Sequence, residues 1–155
     1  MSIANSAVSG HFRGISNYGT LTIINSTVTG NHAVFRTLVG LGGGISNAGT
    51  LTILNTTLNG NSASGGGGIY NHATLTLINI TVSGNSAGGI FVGHGGGIYS
   101  SAGTATISNS TITGNSAIYC RPPFCNSGSG GGIAGIVKTQ NSIVATALRG
   151  KTAMD

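Results

Sequence analysis

Acid–base catalysis on sugars needs a pair of carboxylates, and a calcium site needs several. This chain of 155 residues holds one acidic side chain, Asp155, at its C-terminal end. A carboxylate pair is therefore impossible within one chain. The four histidines, His11, His32, His72 and His94, show no metal-ligand spacing such as HxH or HExxH. They read as solvated loop residues, with His32 and His94 in insertions and His72 in a turn. Serines are frequent, yet no GxSxG elbow or Asp partner accompanies a histidine. Glycine runs such as Gly65 to Gly68 lack the "GK[ST]" of a phosphate cradle and read as close-packed turns. A calcium site built from several carboxylates is excluded in the same way as the carboxylate pair. The expectation is a non-enzymatic protein with no catalytic residue, no metal and no cofactor.

Three residue sets retain chemistry of another kind. Cys120 and Cys125 flank Arg-Pro-Pro-Phe, a spacing that allows a small disulfide loop in an oxidising compartment or two free thiols in a reducing one. The pairs Thr20/Thr22, Thr50/Thr52, Thr74/Thr76 and Thr104/Thr106 recur as TxT. Phe35, Arg36, Phe91, His94, Tyr119, Arg121 and Phe124 lie in segments of variable length.

The elements that position these residues are repeats. Residues 42–63, "GGGISNAGTLTILNTTLNGNSA", return as residues 66–87, "GGGIYNHATLTLINITVSGNSA". Asn25, Asn55, Asn79 and Asn109 mark the series, with Asn5 and Asn141 in weaker copies. Within each copy, apolar residues alternate with Thr: Leu21 and Ile23, Leu51 and Ile53, Leu75 and Leu77, then Ala105 and Ile107. A period of two marks strands with one buried face. Val28, Leu58, Val82 and Ile112 mark a second short run. A Gly-Ile anchor at Ile15, Ile45, Ile69, Ile98 and Ile133 marks a third. Three short strands in a repeat of about 24 residues make one coil of a parallel β-helix. The chain reads as an all-β solenoid of about five coils over 1–145, beginning mid-coil without an evident N-terminal cap. A non-repeat tail follows at 146–155.

Asn25, Asn55, Asn79, Asn109 and Asn141 fall at the corner between the second and third strands. They are expected to form an internal amide ladder between coils; the alternative is that Asn serves only the bent backbone. An inward ladder makes the "N-x-[ST]" sequon at Asn25, Asn55, Asn79 and Asn109 a coincidence. Length variation concentrates after "GN" and before "GG", so the insertions should leave one side of the solenoid, where such folds often bind. Their aromatics could form an adhesive or carbohydrate-binding strip, or tuck against the coil wall.

The copies "GGGISNAGTLTILNTTLNGNSA" and "GGGIYSSAGTATISNSTITGNSA" resemble the polymorphic outer membrane protein type of repeat, over about Ile3 to Ala145. The resemblance implies a right-handed parallel β-helix of the bacterial surface or secreted proteome, used as a passenger, adhesin or scaffold. Only 5% of residues are charged, and the formal charge of +5 comes from six scattered cations. No phosphate-binding stripe results, so nucleic acid is not expected as a partner. No apolar run is long enough to span a membrane, and no signal peptide is evident.

Open strand edges recruit further strands unless blocked. The expected function is therefore a structural β-solenoid, extracellular or at the cell surface. Its expected partners are itself, head to tail in a fibre, or the remainder of a larger surface protein. Two alternatives stand beside it: an adhesin or glycan-binding module using the insertions, and ice binding through the TxT ladder, with Thr spacings of about 4.8 Å between coils and 6.7 Å along a strand.

Overall fold

The computed structural model describes residues 1–33, 40–89, 93–121 and 124–145; for 120–127 only the backbone course is described. Phe35, Arg36 and Phe91 lie outside these residues, as does the tail 146–155.

The described chain winds into a parallel β-helix with four walls. The threonine sheet contains Ser2–Ala4, Thr20–Ile24, Thr50–Leu54, Thr74–Ile78, Thr104–Ser108 and Lys138–Gln140. The corner sheet contains Ala7–Ser9, Thr27–Thr29, Thr57–Asn59, Thr81–Ser83, Thr111–Thr113 and Ile143–Val144. The glycine-led sheet contains Ile15–Asn17, Ile45–Asn47, Ile69–Asn71, Ile98–Ser100 and Ile133–Gly135. A fourth, exit sheet contains His32–Ala33, Ser62–Ala63, Ser86–Gly89, Ser116–Arg121 and Phe124–Ser127. Strands stack in coil order in every sheet, and among the described residues the one antiparallel pairing joins Ser116–Arg121 to Phe124–Ser127.

The expectation of three strands per coil is thus corrected to four. The fourth strand is only two residues long in two coils, and its inward residue is alanine. Ala33, Ala63 and Ala87 are buried, and each is in register with the next. A small residue without a long alternating pattern leaves no periodic signal, so this wall reads as part of the exit loop.

The other walls follow the alternation. Leu21, Leu51, Leu75 and Ala105 form one inward column, and Ile23, Ile53, Leu77 and Ile107 a second. Val28, Leu58, Val82 and Ile112 line the corner sheet; Ile15, Ile45, Ile69 and Ile98 line the glycine-led sheet. Each column places like on like, so side-chain volume is largely conserved from coil to coil and the core packs continuously along the axis.

The corner asparagines require a second correction. Asn25, Asn55, Asn79, Asn109 and Asn141 are exposed, not internal. All five, with Asn5, sit in the left-handed region at φ of 46° to 55°. Among non-glycine residues Asn is one of the few that visits this region readily, which explains its recurrence. Outward amides still meet: Asn79 Nδ2 donates to Asn55 Oδ1 at 2.7 Å, and Asn55 Nδ2 to Asn25 Oδ1 at 3.1 Å. Burial therefore gives no reason to discount the sequon at Asn25, Asn55, Asn79 and Asn109.

The internal ladders belong to other asparagines. Asn31, Asn61, Asn85 and Asn115 are buried and bonded in series, Asn31 Nδ2 to Asn61 Oδ1 at 3.0 Å, Asn61 to Asn85 at 3.0 Å and Asn85 to Asn115 at 2.9 Å. Asn17, Asn47 and Asn71 form a second buried series, with amide bonds of 2.8 Å. Among the described residues no buried side-chain N or O lacks a partner. That matters because an orphaned buried polar group costs about 1–3 kcal/mol.

The glycine triplets permit the coils to stack. Gly66 has φ of 63°, and a Cβ on Gly67 would overlap the carbonyl oxygens of Ser86 and Gly96. Backbone from two neighbouring turns occupies the space a side chain would need.

Candidate functional site

The solenoid presents three surfaces whose residues are organised beyond what closure of the core requires. The threonine sheet is the most regular. Register places Thr20, Thr50, Thr74 and Thr104 in one outward column and Thr22, Thr52, Thr76 and Thr106 in the next. Ser2 extends the second column at one end and Lys138 at the other. A third column, Ile24, Leu54 and Ile78, is half-exposed beside them. Hydroxyls and methyls repeat here at about 4.8 Å across coils. The coils 42–63, 66–87 and 95–117 contain no Asp, Glu, Lys or Arg, so this surface is uncharged along them and carries a cation at Lys138 beyond.

The second surface is the insertion corner. Chain exits stack at Ala33, Ala63, Ala87 and Ala117. Returns stack at Leu41, Gly65, His94 and Ser129 through single bridges. The described parts of all four insertions thus leave and rejoin at one edge. Within the longest insertion the backbone forms an antiparallel hairpin that pairs Cys120 with Cys125 and Arg121 with Phe124. The side chains of those four lie outside the described residues. Tyr119 is half-buried, and Ile118 is 49% exposed.

The third surface is aromatic. On the outer side of the glycine-led sheet, Tyr70 and Tyr99 are in register on adjacent coils, with ring centroids 5.6 Å apart. His72 stacks with Tyr70 at 6.3 Å and 15°, and His94 meets Tyr99 at 5.4 Å. His72 is exposed in a turn, as read from the sequence, with its ring on Tyr70; His94 is half-buried against a ring, which corrects its reading as a solvated loop residue. His32 is likewise in a strand, its Nδ1 hydrogen-bonded to Ser62 Oγ. His11 is exposed, and its backbone N–H donates to Asn31 Oδ1 at 3.1 Å.

The sequence holds a signal for this cluster. The repeat position Gly-Ile-x carries Ser16 and Ser46 in two coils but Tyr70 and Tyr99 in the next two. Among the described residues no three His, Cys, Asp or Glu side chains group to hold a metal ion.

Residues 55–72 match the family model of the Chlamydia polymorphic membrane protein repeat. The matched segment runs from the corner Asn55 through the buried Asn61 and the glycine triplet to His72 in the turn. This short match likens one coil to the repeat of those bacterial membrane proteins. No curated protein and no solved structure matches the chain.

Proposed function

We propose that the chain is a non-catalytic scaffold of the bacterial cell surface whose coils continue by end-to-end stacking. The neighbour is a second copy of this chain or a further part of the same surface protein. One observation carries the reading: through residue 117 the coils repeat the same columns in the same register, down to the bonded series Asn31, Asn61, Asn85 and Asn115. A coil so built is a template for another. The strands Ser2–Ala4 and Lys138–Gln140 belong to the same sheet at its opposite ends, as do Ala7–Ser9 and Ile143–Val144. The outermost described strands of each sheet thus carry their backbone donors and acceptors in one register along the axis. Electron microscopy and sedimentation of the purified chain test this. Rods that lengthen with concentration support it, as does their loss when Val8→Lys places a charge at the first inward position of the corner sheet. Compact monomers at every concentration overturn self-stacking.

A second reading, ice binding, is favoured by the two in-register threonine columns. Thermal hysteresis that is abolished by Thr52→Tyr supports it, and its absence in the unsubstituted protein removes it.

A further inference from the structure

The aromatic cluster is not needed for the fold. The inward residues beneath it, Ile69 and Ile98, are themselves completely buried. At the outward position that Tyr70 and Tyr99 occupy, the preceding coils carry Ser16 and Ser46 and the following one Ala134. The same backbone therefore forms with a hydroxyl, a methyl or a ring at that point. Tyr70, Tyr99 and His94 are half-exposed and His72 is exposed, so four rings meet at the surface of two neighbouring coils.

Their polar edges are organised as well. Ser101 Oγ donates to the Tyr70 hydroxyl at 2.9 Å and lies 3.2 Å from His72 Nδ1. Such a surface combines apolar ring faces with hydroxyl and imidazole groups at their rims. A pyranose has the complementary form: a C–H face that stacks on aromatic rings, and hydroxyls around its edge that hydrogen-bond. The coils 66–87 and 95–117 contain no Lys or Arg to pair a uronic acid or a phosphate, and no Asp or Glu. The surface therefore selects an uncharged sugar.

We propose that Tyr70, Tyr99, His72 and His94 form a stacking platform for a neutral glycan. Tyr18 extends it. It occupies the turn position that Ala48, His72 and Ser101 take in later coils, following Asn17 as His72 follows Asn71, and it is 80% exposed. Two coil spacings, roughly 9.6 Å, separate it from His72 along the axis. A glycan lying along the solenoid axis reaches both. This site is lateral to the coil ends and independent of whether they stack.

The test is a titration of the purified chain with cellohexaose and with chitohexaose, read by tyrosine fluorescence and by amide shifts in NMR. Hexagalacturonate and a twelve-residue oligothymidylate serve as anionic comparisons. Saturable binding of either neutral hexasaccharide, with shifts centred on Tyr70 and Tyr99, is expected. Tyr70→Ser with Tyr99→Ser restores the residue of the earlier coils; it is expected to keep the circular dichroism and melting of the parent and to weaken binding by about tenfold or more. Tyr18→Ser is expected to weaken it about threefold. The proposal is overturned if neither neutral hexasaccharide binds, if the double substitution leaves binding unchanged, or if the anionic oligomers bind as tightly.

Discussion

The side-chain Nδ2 of Asn61 donates to Oδ1 of Asn85 at 3.0 Å, and that same oxygen accepts the backbone N–H of Asn61 at 2.9 Å. Two residues on successive coils are thus joined twice in a buried environment, and Asn31 and Asn115 continue the pattern on either side. The solenoid is held along its axis by bonds of this kind as well as by its apolar columns.

Asn61→Ala removes the acceptor of the Asn31 backbone N–H and the donor to Val28 O at 2.9 Å. We expect a loss of about 2–4 kcal/mol. Asn55→Gly, at the exposed corner with φ of 48°, should cost less than about 1 kcal/mol, because glycine adopts that backbone freely. Denaturant unfolding of the two variants measures the contrast.

Gly67→Ala forces a methyl into the carbonyl oxygens of Ser86 and Gly96. A destabilisation of about 3 kcal/mol or more, or loss of folded protein, is expected. Gly30→Ala separates strain from crowding. Its φ is 63° but nothing lies within 4 Å of an added Cβ, so about 1–2 kcal/mol is expected. Thermal melts distinguish the pair.

Ile53 and Leu54 are neighbours in sequence on opposite faces of one strand. Ile53 is completely buried and Leu54 half-exposed. Truncation of Ile53 to Ala should cost about 3–4 kcal/mol, and of Leu54 to Ala less than about 1 kcal/mol. A larger cost for Leu54 than for Ile53 would show that the register is shifted by one residue.

Cys120 and Cys125 face each other in the hairpin register, at a Cα separation that antiparallel neighbours hold at about 4.5–5.5 Å and that a disulfide accepts. Protein made in an oxidising compartment should gain about 2 Da in mass on reduction, for two hydrogens. The hairpin encloses few residues, so Cys120→Ser should shift the melting temperature of the coils little. An unchanged mass on reduction would mean free thiols.

Much of this was legible along the chain. Alternation of Leu or Ile with Thr fixes which residues face inward, since side chains in a strand point to opposite faces in turn. Recurrent Asn at a corner reports a left-handed backbone. The single acidic side chain, Asp155, rules out a paired-carboxylate mechanism within the chain on composition alone. The residues missed share a cause. Asn25 and Asn31 recur with equal regularity, but only one series is buried. Which one depends on where Cα–Cβ points after the bend, and no spacing encodes that. Ala33 and Ala63 form a wall too small to leave a periodic trace.

Periodicity in the chain thus determined the coil, its inward faces and its neutrality, because those follow from local geometry repeated. Lateral adjacency was decided only by tertiary structure. His94, Tyr99, Tyr70 and His72 meet because coils of unequal length close into equal turns, with the excess expelled at one corner. Tyr70 and Tyr99 are 29 residues apart in the numbering, yet one coil step apart in space. The backbone bonds between turns set that step, and they hold whatever length of chain runs between them.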